Sequence, residues 1–146
     1  MFPATRVPEA ERATLDRRPP GSVARMDVSR LRFEELVAEA LDSIPAELAS
    51  EMQNVAVMVE EWPTGAQLAG RRGTLLGLYE GIPLTRRDPI TYAGVSPDRI
   101  TIFAGPLCER ASSETDLAAR VRVTVLHEVG HHFGIDDDRL RELGWA

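Results

Sequence analysis

The sequence has little cysteine, no lysine and no long apolar run. The shortage of cysteine and the lack of a long apolar run each exclude a class of protein. The lone cysteine, Cys108, excludes an intrachain disulfide framework and is typical of a protein from a reducing compartment. All 17 basic residues are arginine and are outnumbered by 23 acidic residues, which gives a net charge of −6. Because nucleic-acid binders usually carry a basic surface, this balance predicts no nucleic-acid partner.

We also expect neither a membrane segment nor an export segment. No apolar stretch approaches the ~20 residues that a membrane-spanning helix needs, so we expect no membrane association. The first residues lack the apolar centre of a secretory signal. We therefore expect a cytoplasmic protein, with a monomer as the default because nothing in the sequence indicates an oligomeric state.

Residues 1–26 differ in composition from the rest of the chain. They contain four prolines and five arginines against three acidic residues, a net charge of +2, whereas residues 27–146 have a net charge of −8. A segment with so few apolar residues does not bury enough surface to offset the entropy lost on ordering. We predict a flexible arm over residues 1–26, either frayed or ordered by a partner, and a single domain over residues 27–146.

The pattern of apolar residues predicts an α+β domain with helices packed on a small sheet. Residues 33–44 follow one helix face, with Asp27 or Ser29 as the cap, and residues 115–133 form a second long amphipathic pattern. Shorter helices are predicted at 46–52 and 139–143. The predicted strands are 55–62, 75–81 and 99–105, the last ended by Pro106, and the predicted loops are 63–74 and 82–98.

All three histidines lie within one run on the second long helix, His127-Glu128-Val129-Gly130-His131-His132. His127 and His131 are four residues apart, hence about 40° apart around a helix and one turn along it, so both imidazoles can hold one cation. Glu128 lies about 100° round from His127, where it borders the ion and can act as a base on water. This is the H-E-x-x-H pattern of zinc peptidases. His132 lies about 100° from His131, which favours a packed or hydrogen-bonded role over metal ligation.

A third metal ligand is expected just after this helix. Gly134 is the residue type that ends a helix in the left-handed conformation and turns the chain back. Asp137 follows three residues later and offers a carboxylate oxygen that completes a His₂Asp set with one open position. Asp136 and Asp138 compete with it, although Asp138 suits the N-cap of the last helix better and Asp136 suits a supporting or solvated position. The spacing favours Asp137.

One Zn²⁺ per chain is the expected cofactor. Two imidazoles and one carboxylate also suit Fe²⁺, Mn²⁺ or Co²⁺, because ligand type alone selects weakly among these ions. The helix motif and the glutamate beside the first histidine favour zinc.

The motif and its surroundings resemble a known family. Residues 127–137 read HExxHxxGxxD, a variant of the extended metzincin motif. The likeness continues through LLGLYEGIPLT (75–85), RITIFAGP (99–106) and DRLRELGW (138–145). Over about residues 27–146, the sequence resembles the small bacterial family of zincin-like metallopeptidases, also called minimal zincins.

The resemblance implies both a fold and an activity. The fold is a minimal zincin core, a mixed sheet of about three to four strands packed on two main helices, with the active-site helix near the C-terminus. The activity is hydrolysis of peptide bonds by a metal-activated water, with His127, His131 and Asp137 as zinc ligands and Glu128 as the general base. Larger metzincins follow the motif with a methionine turn, and residues 138–146 contain no methionine, so we expect a reduced substrate cleft.

Two other functions stay open. One is a zinc-bearing peptide-binding module without turnover, and the other is a regulatory peptidase that acts on a single protein partner. The intact Glu128 favours the enzyme, because structural zinc sites usually close all four positions with protein ligands. We expect a peptide or protein substrate that adds as a strand to an exposed sheet edge at Ile100–Phe103. Tyr79 or Tyr92 either assists an oxyanion or is structural.

Overall fold

The computed structural model of this chain describes residues 26–92 and 94–146. The predicted arm lies outside the described residues apart from Met26, whose backbone N–H donates to the carbonyl oxygen of Cys108 at 3.0 Å. The division into an arm and one domain therefore stays a prediction. In the part of the chain that is described, no helix has the length and apolar character needed to cross a membrane.

Three strands form one mixed sheet. They are β1 (Val55–Glu60), β2 (Gly77–Glu80) and β3 (Asp98–Phe103), in the order β1-β3-β2. β1 is parallel to β3, with Val55 opposite Asp98, and β2 is antiparallel to β3, with Gly77 opposite Ile102. The predicted small mixed sheet is confirmed.

Six α-helices accompany the sheet in the described residues. The two long ones are α1 (Arg30–Asp42), whose first turn is capped by the Ser29 hydroxyl, and α5 (Glu114–His132), capped by Ser113. The shorter elements are α2 (Ala46–Glu51), α3 (Gly65–Leu68), α4 (Ala104–Arg110), α6 (Asp137–Leu143) and a 3₁₀ turn at Leu84–Arg86. The α+β fold with two main helices is confirmed.

The hydrophobic core lies between the two long helices and the sheet. α1 contacts α5, and α5 contacts both β2 and β3. The ridge of Val121, Val125 and Val129 on α5 is 0–1% exposed, and each such buried side chain contributes roughly 1.5–3 kcal/mol. His127 lies two residues from Val125 and Val129, hence about 160° away round the helix. Burial of the valine ridge therefore turns the face of α5 that carries His127 away from the core.

Two predicted boundaries are wrong, the first because β3 and α4 are directly joined. β3 ends at Phe103. Residues 104–106, which were predicted to contain the end of the strand and the proline that stops it, are instead the first turn of α4. Proline is tolerated there because the first four N–H groups of a helix have no intrahelical acceptor. The predicted loop 63–74 contains α3, whose start is fixed by a capping box between Thr64 and Gln67.

The predicted exposed edge at Ile100–Phe103 is also wrong. These residues belong to β3, which is the central strand and pairs on both sides. Their apolar character reflects complete burial, since Ile100, Ile102 and Phe103 are each 0% exposed. Within the described residues the edges of the sheet are β1 and β2, and β2 is the one that contacts α5.

Candidate metal centre

Three predicted ligand residues meet at the C-terminal end of α5. Nε2 of His127 and Nε2 of His131 are 3.1 Å apart. Oδ1 of Asp137 lies 3.4 Å from the first of these nitrogens and 3.2 Å from the second. The structure thus brings together two imidazole nitrogens and one carboxylate oxygen in a small triangle.

The size of this triangle fits one small cation. In a tetrahedral zinc site with ligand bonds of ~2.0–2.1 Å, any two ligand atoms lie about 3.3–3.4 Å apart. The observed separations of 3.1, 3.2 and 3.4 Å are close to this value. Three protein ligands also leave one position open, which is typical of catalytic rather than structural zinc. The donor set therefore fits the metal that the sequence predicts.

Backbone carbonyl groups determine which nitrogen of each imidazole faces the triangle. Nδ1 of His127 lies 3.0 Å from the carbonyl oxygen of Trp145, and Nδ1 of His131 lies 3.2 Å from that of Ile135. Because a carbonyl oxygen only accepts, each Nδ1 carries the proton and donates it. Both Nε2 lone pairs then point into the triangle, where a shared cation offsets their mutual repulsion.

Gly134 places Asp137 opposite the two histidines. It has φ of +80°, the left-handed conformation predicted for it, and its N–H donates to the carbonyl oxygen of His131 at 2.9 Å. A Cβ atom at this position would lie 2.2 Å from Oγ1 of Thr85. Glycine is therefore required twice, by the backbone conformation and by the close approach of Thr85.

The competing aspartates have other roles, and one predicted role is wrong. Asp136, not Asp138, is the N-cap of α6, and its side chain accepts from the N–H of Arg139 at 2.9 Å. Asp138 lies in the first turn and forms an exposed ion pair with Arg141. The cap moves by two residues because α6 begins at Asp137, directly after the glycine turn.

Glu128 lies beside the triangle and is buried, with 7% of its surface exposed. Burial raises the pKa of Glu128 to about 7; the hydrogen bond from the N–H of Tyr79 and the charge of Arg71 act in the opposite direction. A Cβ atom at Gly77 would lie 3.0 Å from Cγ of Glu128, so only glycine lets β2 come this close to α5. The carboxylate is thus held between the helix and the edge strand.

An open cleft of about 670 Å³ exposes this centre to solvent. Its walls are β2 with the residues before it, the segment 83–86, and the C-terminal half of α5. His127, Glu128, His131 and Asp137 all line it. The arrangement can hold a cation, a base and a small segment of substrate within one cavity.

A second group of polar residues lies behind the cleft, and we call it the Asp98 cluster: Asp98, Tyr79, Arg87 and His132. Asp98 is 1% exposed and His132 is 0% exposed. Oδ2 of Asp98 accepts from the hydroxyl of Tyr79, from Nη2 of Arg87 at 2.8 Å and from Nδ1 of His132 at 2.9 Å. Nε2 of His132 accepts from the N–H of Gln53 at 3.3 Å, so His132 is the neutral tautomer with its proton on Nδ1.

The Asp98 cluster bears on whether Tyr79 and Tyr92 assist an oxyanion or are structural. The hydroxyl of Tyr79 is bound to Asp98, and burial together with that bond raises its pKa. The hydroxyl of Tyr92 accepts from the side-chain amide of Asn54 at 2.8 Å, and its ring lies 4.4 Å from the guanidinium carbon of Arg87. Both hydroxyls thus have protein hydrogen-bond partners, which favours the structural role.

Sequence reasoning did not single out Asp98 or Arg87. Neither has a diagnostic spacing from the other members of the cluster, because the residues come from separate segments that only the sheet brings together. Arg87 additionally donates to the carbonyl oxygens of Ile82 and Gln53, both at 2.9 Å, and so fastens the segment that forms one wall of the cleft. The one available indication was His132, whose direction on the helix predicts a hydrogen-bonded role.

Comparison with known proteins gives a family. A family model described as zincin-like metallopeptidase matches residues 52–145. A solved structure of a conserved hypothetical protein from Thermus thermophilus is 27% identical, with a TM-score of 0.47 over 80% of this chain and 97% of that one. No curated protein matches the sequence. Because the family match spans more than half of the chain and includes the whole metal centre, this protein belongs to the zincin-like metallopeptidase family.

Proposed function

We propose that this protein is a zinc-dependent peptidase in which His127, His131 and Asp137 hold the metal and Glu128 is the general base. The observation that carries the proposal is the triangle of two Nε2 atoms and one carboxylate oxygen, with a buried carboxylate beside it in an open cleft. Membership of a metallopeptidase family supports the same class of reaction.

The chemistry divides between the metal and the chain. Zinc held by the triangle would supply Lewis acidity toward the scissile carbonyl and toward water at neutral pH. Glu128 accepts the proton of the attacking water on a carboxylate oxygen and then delivers it to the nitrogen of the leaving amine. The C–N bond breaks, a C–O bond forms, and Glu128 returns to its starting state. The N–H of Tyr79 keeps the Glu128 carboxylate in place between these two transfers.

The outer edge of β2 offers main-chain groups to an extended peptide. The N–H of Phe103 donates to the carbonyl oxygen of Leu76, so Leu76 and Phe103 form a hydrogen-bonded pair. In an antiparallel ladder such pairs alternate, which turns the main-chain groups of Gly77 and Tyr79 away from β3. Since these residues also line the cleft, we propose that a peptide substrate pairs with the N–H and C=O of Gly77 and with the C=O of Tyr79, whose N–H donates to Glu128. This edge replaces the one predicted at Ile100–Phe103.

The test is Glu128→Gln in zinc-loaded protein. We expect peptide hydrolysis to fall by at least about 100-fold, because the amide accepts no proton, while zinc stays bound at one equivalent. Cleavage is followed by mass spectrometry of a peptide library, and zinc by elemental analysis. Glu142→Gln, the same change at an exposed helix position, is the control and should leave both quantities unchanged.

Two outcomes would contradict the proposal. Full activity of Glu128→Gln would remove this residue from the mechanism. Zinc-loaded wild-type protein that binds peptides and cleaves none would instead support the peptide-binding module. Cytoplasmic location and the absence of nucleic-acid partners stay predictions.

A further inference from the structure

Two arginines line the cleft beside the metal centre. Arg71 lies between α3 and β2, and Arg86 is the last residue of the 3₁₀ turn on another wall of the cavity. Both side chains belong to exposed residues. Within residues 26–92 and 94–146, neither guanidinium has an ion-pair partner. Two positive charges thus face the space that a substrate would enter.

Among the described residues, the acidic side chains of the cleft form no ion pair with either arginine, although the charge of Arg71 acts on Glu128. Asp137 belongs to the ligand triangle, Asp136 caps α6, and Glu128 accepts from the N–H of Tyr79. Neighbouring arginines behave differently from the two in the cleft. Arg87 is bound within the Asp98 cluster, and Arg99 pairs with Glu80 at 3.4 Å.

Arg71 also lies on the path along the edge strand. A second recess of about 500 Å³ shares lining residues with the cleft, namely Arg71, Leu78 and Tyr79. A peptide paired with Gly77 and Tyr79 would therefore pass Arg71. Arg86 follows Thr85, whose hydroxyl approaches Gly134 at the metal end of the cleft. The two arginines are contributed by different segments around the proposed substrate path.

We propose that Arg71 and Arg86 select peptides that carry a carboxylate near the scissile bond, an inference that rests on the proposed peptidase function. A guanidinium group binds a carboxylate through two parallel N–H donors, a geometry that neutral or basic side chains do not satisfy. The protein as a whole has a net charge of −6, so it repels acidic peptides at long range. Positive groups inside the cleft are what make such a substrate acceptable.

The test compares matched peptides on zinc-loaded protein at low salt. Three libraries of degenerate octapeptides differ only in the residue at one fixed position, which is Glu, Gln or Lys. All three have amidated C-termini. We expect the Glu library to be cleaved about fivefold faster than the Gln library and the Lys library to be slowest, a difference typical of exposed charge pairs. The advantage of Glu should shrink at about 0.5 M salt, since exposed charges are screened there.

Charge reversal assigns the preference to particular residues. Arg71→Glu and Arg86→Glu should each reduce cleavage of the Glu library and raise that of the Lys library. Arg72→Glu is the matched control: it makes the same charge change at an exposed neighbour that does not line the cleft, and it should keep the wild-type order. A fourth library carries Gln at the fixed position and a free C-terminal carboxylate. If only this library is cleaved faster than the amidated Gln library, the arginines bind the terminal carboxylate and not a side chain.

The two proposals fail in different ways. Wild-type protein that cleaves none of the libraries would contradict the peptidase function. The arginines are then still tested by fluorescence anisotropy of fluorescein-labelled Glu and Gln peptides on zinc-loaded Glu128→Gln protein, where we expect about fivefold tighter binding of the Glu peptide. Equal rates and equal binding for Glu and Gln, or the same loss in Arg72→Glu as in Arg71→Glu, would overturn carboxylate selection.

Discussion

Adjacent histidines on α5 serve two regions of opposite character. His131 is half-buried beside an open cleft, and its Nε2 lies among other ligand atoms with room for a cation. His132 is fully buried, and both of its ring nitrogens already have protein partners, Asp98 and Gln53. The same side chain is a candidate metal ligand in one place and a structural element in the other. Burial and the supply of partners, not residue type, decide between these roles.

The largest expected effect concerns the structural region. Asp98→Ala leaves the guanidinium of Arg87 buried without its carboxylate, and loss of one partner of a buried pair costs about 3–5 kcal/mol. We expect the free energy of unfolding of metal-free protein, measured by urea titration, to fall by this amount. Asp98→Asn should fall less, because the amide oxygen still accepts a hydrogen bond.

An exposed ion pair provides the control for that variant. Glu142→Ala removes the partner of Arg139, which lies 2.7 Å away at the surface of α6. We expect a change within about 1 kcal/mol. Similar losses for Asp98→Ala and Glu142→Ala would show that the Asp98 cluster is not a structural centre.

An intermediate effect links the fold to the metal region. Gly134→Ala places a Cβ atom against Thr85 and keeps a left-handed backbone, so we expect a loss of stability of about 2 kcal/mol or more and weaker zinc binding as Asp137 moves. Gly144→Ala is the matched control, because Gly144 also has a positive φ, +76°, but a Cβ atom there meets nothing within 4 Å. It should cost only the backbone strain of about 1 kcal/mol and leave zinc affinity unchanged. Equal effects on zinc affinity would contradict this account of Gly134.

The smallest effect is a dependence on pH. Burial acts to raise the pKa of Asp98, but hydrogen bonds from Tyr79, the N–H of Ile82, His132 and Arg87 outweigh it and hold the pKa below its usual value. An unfolded aspartate has a pKa of about 3.9, so the ionised carboxylate stabilises the fold above that pH. The contribution is lost as the pH falls through the lower, folded-state pKa.

The check is the difference in unfolding free energy between metal-free wild-type protein and Asp98→Asn. We expect this difference to be constant from about pH 7 to pH 5 and to shrink below about pH 4. A difference that persists unchanged to about pH 2 would mean that the charge of Asp98 contributes nothing.

The metal region was accessible to sequence analysis because its geometry is local. His127 and His131 are one turn apart on a single helix, and Gly134 determines where the chain turns back toward Asp137. Two residues of one helix and a third just after the following turn can be predicted without knowledge of the sheet. The cap of α6 was misplaced, since Asp136 and Asp138 are equally suitable by residue type and only the end of the turn distinguishes them.

The Asp98 cluster and the strand order were not accessible in this way. The pairing of β2 with β3 and the packing of α5 bring together the four residues of the Asp98 cluster. Neither contact produces a short, recognisable spacing in the sequence. The central position of β3 follows from the same pairing. An apolar strand pattern indicates burial, but it does not distinguish a central strand from an edge strand that is covered by a helix.

The central claim is that His127, His131 and Asp137 hold one divalent ion. The most direct test is elemental analysis of zinc-loaded, dialysed protein together with His131→Ala and the exposed-site control Asp138→Ala. We predict one equivalent of zinc in the wild-type protein and in Asp138→Ala, and an affinity more than about 100-fold weaker in His131→Ala with the fold retained. A wild-type protein that binds no divalent cation, or a His131→Ala variant that binds zinc as tightly as wild type, would contradict the claim.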